Sequence, residues 1–313
     1  MMTRPQRINT ITDYHRLRGL PKPAHPLISV VNVSDLQPAD KPMSWVQDFY
    51  SIALKRNTGA KFRYGQQQYD FDEGILFFIA PGQVFSVEPS NSLDVPASYP
   101  TPTAGTPTGW IILVHPDFLW NTNLAKQIRQ YEFFHYAVHE ALFLSDREET
   151  ILTGIIGQIQ HEHQANLDAF SQTIIISQLE LFLNYAQRFY QRQFITRQIT
   201  NHHVLERMEA VLTAYLNDEN RMREGLPTVQ YVADQVNLSP NYLSGLLKTL
   251  TGQTTQQHIQ DKLIETAKQK LSTTALTVSE IAHALGFEHV QSFSKLFRRK
   301  TNCSPLEFRQ SFN

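Results

Sequence analysis

Two sets of short polar and cationic side chains offer hydrogen bonds to a flat, polyanionic partner. The first is Asn241, Tyr242, Ser244, Gly245 and Lys248; the second is Gln291, Ser292, Lys295 and Arg299. Amide, hydroxyl and ammonium groups can bond base edges in a DNA major groove, and cations can hold phosphates. Other chemistry is sparser. Cys303 is the sole cysteine, so no intrachain disulfide or cysteine-based zinc site can form, and no partner base is marked for it. His135 and His139 stand four apart and could share a metal, but no third ligand is evident nearby. His161 and His163 fall on an expected helix, where residues two apart face different ways. His115 ends a strand alone and reads as structural, and the strand-like segments lack a His-x-His pair. No catalytic residue, metal or cofactor is expected.

The two polar sets need helices to carry them. In residues 228–252 a first helix is expected, with Val229, Val232, Ala233 and Val236 at helical spacing. Asn237 suits a left-handed helix end, Leu238 anchors the turn, and Ser239-Pro240 caps and starts a second helix. That helix buries Leu243, Leu246, Leu247 and Leu250, and Gly252 stops it. The pattern recurs in residues 277–302, an offset of 51 when counted from Ser239 to Val290. Val278, Ile281, Ala282 and Leu285 form the first apolar face there, Gly286 turns, Phe287 anchors, and Val290, Phe293, Leu296 and Phe297 bury the second helix. One helix-turn-helix pattern is a weak signal; two tandem copies with matching Ala, turn and anchor residues are far stronger. The bland alternative is a plain helical bundle. Between the copies, Gln256–Leu271 reads as an amphipathic spacer that would fix the separation of the two polar faces.

Charge follows the same division. The chain of 313 residues has a net charge of −1, which by itself argues against a nucleic-acid binder. From Thr228 onward there are nine Lys/Arg against six acids, leaving this part +3 and the rest −4. The front reads as β-rich, with runs at Ile28–Val33, Tyr50–Lys55, Ile75–Ile79, Val84–Val87 and Trp110–Val114. A Pro/Ser/Thr-rich loop spans Glu88 to Thr108. Short strands without interleaved helices suggest a barrel or a sandwich. Helices follow at Glu148–Gln164, Ala169–Gln193 and Val204–Leu216, with polar links at Thr196–His203 and Asn217–Pro227. The apolar stripe on Ala169–Gln193 is wide enough either to be buried on two sides of its own domain or to pack also on a partner subunit. Aromatics Phe62, Tyr64, Tyr69, Phe71 and Phe77 either fill the β domain or line a small-molecule pocket; Lys55, Arg56 and Arg63 either meet an anionic effector or are solvated. No run of apolar residues is long enough for a membrane span, and the N-terminus lacks a secretory core, so a cytoplasmic location is expected.

The stretches SPNYLSGLLKTLTG, LIETAKQKL and VSEIAHALGFEHVQSFSKLFRRKTNCSPLEFR make residues 204–313 resemble the C-terminal domain of AraC-family (AraC/XylS) transcription regulators. The resemblance implies an α+β chain in three parts. These are a cupin-like effector-binding barrel (1–120), a helical dimerisation segment (121–200) and an all-α DNA-binding domain with two helix-turn-helix units (201–313). It implies double-stranded DNA, a small-molecule effector, a homodimeric partner and RNA polymerase as contacts. It places Asn241, Ser244, Gly245 and Lys248 against DNA from one recognition helix and Gln291, Ser292 and Lys295 from the other. Gly245 departs from the side chain many members present there, and Asn302 from the Gly of the usual ending, though Asn tolerates the same backbone. A metal-dependent cupin enzyme fused to a DNA-binding domain is the alternative.

Overall fold

The computed structural model describes residues 5–37, 43–56, 63–64, 67–68, 74–87, 108–137, 140–164, 170–196 and 198–311. The chain divides into two compact units, Met1–Gln193 and Phe194–Asn313.

In the first unit the strands are β1 (Gln6–Ile8), β2 (Ile28–Asn32), β3 (Met43–Gln47), β4 (Tyr50–Arg56), β5 (Arg63–Tyr64), β6 (Gln67–Gln68), β7 (Ile75–Ile79), β8 (Val84–Val87), β9 (Thr108–Val114) and β10 (Leu142–Phe143). The helices of this part are α1 (Ile11–Leu17), α2 (Asn123–Gln127), α3 (Asp146–Gln164) and α4 (Ser171–Thr196), the last of which carries on from Phe194 into the second unit. The strands form a five-stranded antiparallel sheet in the order β10-β7-β4-β9-β2, a three-stranded sheet β1-β3-β8 and the pair β5-β6. Among the described residues these sheets do not close into the expected barrel. The large sheet ends in edges at β2 and β10, and β3 pairs with β1 and β8 instead of extending it.

Register explains why the strands are apolar on both sides. Ala53 sits opposite Phe77 and Ile111, and Val31 opposite Ile111, so these odd-numbered residues share one face. They pack with Trp45 of β3 and with Ile11 and Tyr14 of α1 in one core. The opposite face carries Leu76, Phe78 and Ile112. Phe78 meets the rings of Phe133, Phe134 and Tyr190, the last from α4. A sheet covered on both faces must read as an unbroken apolar run, and Ile75–Ile79 is buried throughout.

Helix α4 buries Ile175, Leu179, Phe182, Ala186 and Phe189, while Ile174 and Leu181 remain 44% exposed. No helix among the described residues is long and apolar enough to cross a membrane.

The second unit holds α5 (Gln198–Asn217), α6 (Glu219–Glu224), α7 (Val229–Val236), α8 (Pro240–Thr251), α9 (Thr255–Thr273), α10 (Val278–Ala284), α11 (Val290–Thr301) and α12 (Pro305–Gln310). Both stretches expected as polar links are largely helical: α5 takes in most of Thr196–His203, and Asp218 caps α6 within Asn217–Pro227. Polarity misleads there because a cap and a hydrogen-bonded backbone turn need few apolar residues.

Candidate nucleic-acid interface

The two helix-turn-helix units are built by the same backbone devices. Thr228 and Thr277 cap their first helices by accepting the N–H of Tyr231 and of Glu280. Val232, Ala233 and Val236 in one unit, and Ile281, Ala282 and Leu285 in the other, are buried. Each turn passes through a left-handed residue, Asn237 (φ 58°) and Gly286 (φ 77°). Each anchor then donates its N–H to the carbonyl of the crossing alanine at 3.0 Å, Leu238 to Ala233 and Phe287 to Ala282.

The offset between the copies is not the expected 51. It is 49 from Thr228 to Thr277 and 50 from the cap Ser239 to the cap His289, so the second turn holds one extra residue. The endings keep the offset of 50: Gly252 (φ 76°) and Asn302 (φ 64°) close α8 and α11 in the left-handed region, and Thr254 and Ser304 cap the helices that follow. Asn302 thus holds in the second unit the left-handed backbone that Gly252 holds in the first.

On α11 the buried side is Phe293 and Phe297, both 0% exposed and in ring contact, with Phe287 and Phe308 beside them. The solvent side presents Gln291, Ser292, Lys295, Arg298 and Arg299. On α8 the buried side is Leu243, Leu246 and Leu247, and the solvent side presents Asn241 and Lys248, with Ser244 and Gly245 half-buried. Tyr242, expected among the exposed residues, is 2% exposed, with its ring edge-on to Phe194 at 5.1 Å. Its place on the flank of the apolar stripe let another helix cover it. Aligned by the offset of 50, Gly245 matches Lys295 and Lys248 matches Arg298, so the second face is the more cationic one.

The spacer α9 is bonded to both α8 and α11. Ser244 and Thr255 share a hydrogen bond of 3.0 Å, and Thr251 meets His258 at 2.8 Å. On the other side Arg299 donates to Gln260 at 3.1 Å and Lys300 pairs with Asp261 at 2.6 Å. Sequence reasoning assigned Arg299 to the open face alone; it is exposed but already holds the spacer. Burial pushes His258 below the usual histidine range, which favours the neutral ring in its bond to Thr251.

The remaining candidates divide plainly. His115 accepts the N–H of Asp117 as the cap of a short turn. His163 is buried with Nε2 at 3.1 Å from the Ile28 carbonyl, whereas His161 is exposed. His139 lies outside the described residues, and no group of three metal-binding side chains occurs among those described. Cys303 is half-buried, its Sγ 3.5 Å from the Thr301 hydroxyl. Of the aromatics expected to line a pocket, Phe62, Tyr69 and Phe71 lie outside the described residues, Tyr64 is placed only as part of β5, and Phe77 is buried between the sheets. Arg56 is taken by an ion pair with Glu149, whereas Lys55 points at the Phe77 ring, 5.2 Å from its centroid.

The family model described as a helix-turn-helix domain matches residues 232–311. The Arabinose operon regulatory protein of Escherichia coli (strain K12) is 32% identical over 118 residues, 34% of this chain and 40% of that protein. The HTH-type transcriptional activator RhaS of Escherichia coli is 39% identical over 79 residues, 25% of this chain and 28% of that protein. The solved C-terminal domain of the two-component response regulator yesN from Fusobacterium nucleatum is 28% identical with a TM-score of 0.30, over 34% of this chain and 98% of that one. The chain thus spans well under half the length of these curated relatives. The paired units, their caps and this match together make residues 232–311 a helix-turn-helix domain of the AraC family.

Proposed function

We propose that this chain is a sequence-specific DNA-binding transcription regulator, with α8 and α11 as its recognition helices. One observation carries the reading: α11 seals Phe293 and Phe297 in the core and turns an uninterrupted amide, hydroxyl and cationic face to solvent. Such a face fits the major groove, with Gln291, Ser292 and Lys295 on base edges and Arg298 on phosphate. On α8, Asn241 and Lys248 do the same with fewer groups, and Ser244 and Gly245 line the close approach. Bonded to one spacer, the two helices enter successive major grooves on one DNA face, roughly 34 Å apart. The first unit is a regulatory domain in place of an enzyme; it takes a small-molecule effector, and residues 121–200 pair two chains through Ile174 and Leu181 of α4, whose exposure supports that role. RNA polymerase is the downstream contact, and the cytoplasm the location.

The test is selection of bound sequences from a random duplex pool by the full chain, followed by footprinting. The expected result is two protected segments one helical turn apart. Binding with equal affinity to every sequence would overturn it.

A further inference from the structure

The side chains of α9 that bond outward do so on one side or the other. Thr255 and His258 meet α8, and Gln260 meets α11. Among the described residues Asp261 alone serves both sides, one with each carboxylate oxygen. Oδ2 accepts the Gln253 amide N–H at 2.9 Å, and Oδ1 lies 2.6 Å from Lys300 Nζ. Gln253 directly follows Gly252, where α8 ends in the left-handed region, and Lys300 stands in the last turn of α11. One short side chain thus joins the exits of both helices at a single point.

The place of this joint gives it leverage. The outward groups of α11 begin at Gln291, nine residues before Lys300. Nine residues of helix span about 13 Å, so a tilt of about 10° at Lys300 moves Gln291 by about 2 Å, more than a hydrogen bond to a base edge tolerates. A carboxylate suits two donors, because both of its oxygens accept. An amide in its place must turn its NH2 toward Gln253 or toward Lys300, and loses one arm. The ion pair is open to water, with the Lys300 and Asp261 side chains 24% and 40% exposed. Such a pair adds little to stability, so its contribution is to direction.

We propose that Asp261 is a positioning residue that sets the angle between α8 and α11, and so selects the separation of the two DNA segments they read. This role rests on α8 and α11 as recognition helices, and it names the side chain that keeps them in step.

The test measures the affinity of the full chain for its selected duplex, and for the same duplex with one base pair added or removed between the two protected segments. One base pair shifts the second segment by about 3.4 Å and turns it by about 35°, which a fixed pair of helices cannot follow. The unaltered chain should prefer the selected spacing roughly tenfold or more. Asp261→Ala and Asp261→Asn should each cut that preference about threefold or more, and leave affinity for a duplex with one segment unchanged. Gln253→Met and Lys300→Met should each relax the preference as far, and the two together no further, because either broken arm undoes the joint. The preference is a ratio, so the charge lost in Lys300→Met cancels from it. A merely structural role would lower affinity for one segment and for two alike and leave the preference intact. Gln253→Met and Lys300→Met keep the carboxylate in place, so an Asp261 variant that fails to fold does not blunt the comparison. If the folded variants keep the full preference, the role of Asp261 is wrong and the recognition helices stand. Sequence-specific binding by the unaltered chain that is indifferent to spacing also overturns that role, whereas binding without sequence preference removes the recognition helices themselves.

Discussion

Lys295 and Arg298 stand one turn apart on α11, yet they should fail in different ways when cut to alanine. Both are exposed, and neither forms an ion pair with a described residue. Arg298 feels the charge of Glu307 at longer range. Neither therefore has an ion pair with a described residue to give up on DNA. Arg299 differs, because it must give up or share its bond to Gln260, and Lys300 is held by Asp261. A lost phosphate contact lowers the slope of log affinity against log salt by about 0.9, so a fourfold rise in salt should weaken Arg298→Ala about 3.5-fold less than it weakens the parent. That loss should be equal on cognate and unrelated duplexes. Lys295→Ala should instead cost about 1–3 kcal/mol on the cognate site, a factor of roughly 5 to 150, and relax preference at one base position. Fluorescence anisotropy on labelled duplexes at 50 and 200 mM salt, with a set of single-base variants of the site, reads both quantities. If the two variants lose affinity in the same sequence-independent way, Lys295 is a phosphate contact; if neither loses any, α11 is not the recognition helix.

Three further outcomes follow from packing and charge. Phe297→Ala removes a fully buried ring that touches Phe293 and Phe308, and should cost about 3–5 kcal/mol in urea unfolding of the second unit, with loss of DNA binding. Gly286→Ala puts a methyl at φ 77° and 2.7 Å from the Gly225 carbonyl oxygen, so it should destabilise by more than the roughly 1–2 kcal/mol of the left-handed penalty, whereas Asn302→Gly should change stability by only a few tenths. Lys55 holds its proton to about 8 when folded and to the ordinary 10.5 when unfolded, so its charge opposes folding below 8 and that cost is relieved as pH rises from 8 toward 10.5. Lys55→Met should therefore be the more stable protein at pH 7, and the gap should shrink by about 2 kcal/mol by pH 9.5 in denaturant titrations; a constant gap would mean that Lys55 is not charged and buried in the native state.

The second unit was legible because local and long-range signals agree there. Thr, Ser, Asn and Gly stand at caps and turns, and the apolar spacing fits 3.6 residues per turn, so each helix is specified within its own dozen residues. Tyr242 escaped because a flank residue is exposed or buried according to what covers it, and Phe194 comes from a separate helix. The one-residue shift in the second turn escaped for a related reason: Glu288 and His289 carry no apolar mark, and Val290 is the residue after the cap and not the equivalent of Ser239. In the first unit the apolar runs gave most of the strands of the five-stranded sheet, but which strand pairs with which is decided across long stretches of chain. The three-residue β1 and the seven-residue α1 are too short to announce themselves by periodicity.

The spacer limits how regulation can work. It is bonded to α8 through Thr255 and His258 and to α11 through Gln260 and Asp261, using both neutral and charged partners along less than two turns. Altering the distance between the two recognition faces would break several of these bonds at once, and would also uncover the buried spacer residues Ile259, Leu263 and Ile264. A ligand in a separate unit has only its differential affinity to spend on such a change. Moving the whole second unit as one body costs none of those contacts. Under the proposed function, an effector must therefore act on where the pair of helices is presented, and the separation of the two protected segments within one footprint should be the same with ligand and without it. A footprint whose internal spacing changed on adding ligand would show that the spacer yields, and that its hydrogen bonds do not fix the separation of α8 and α11.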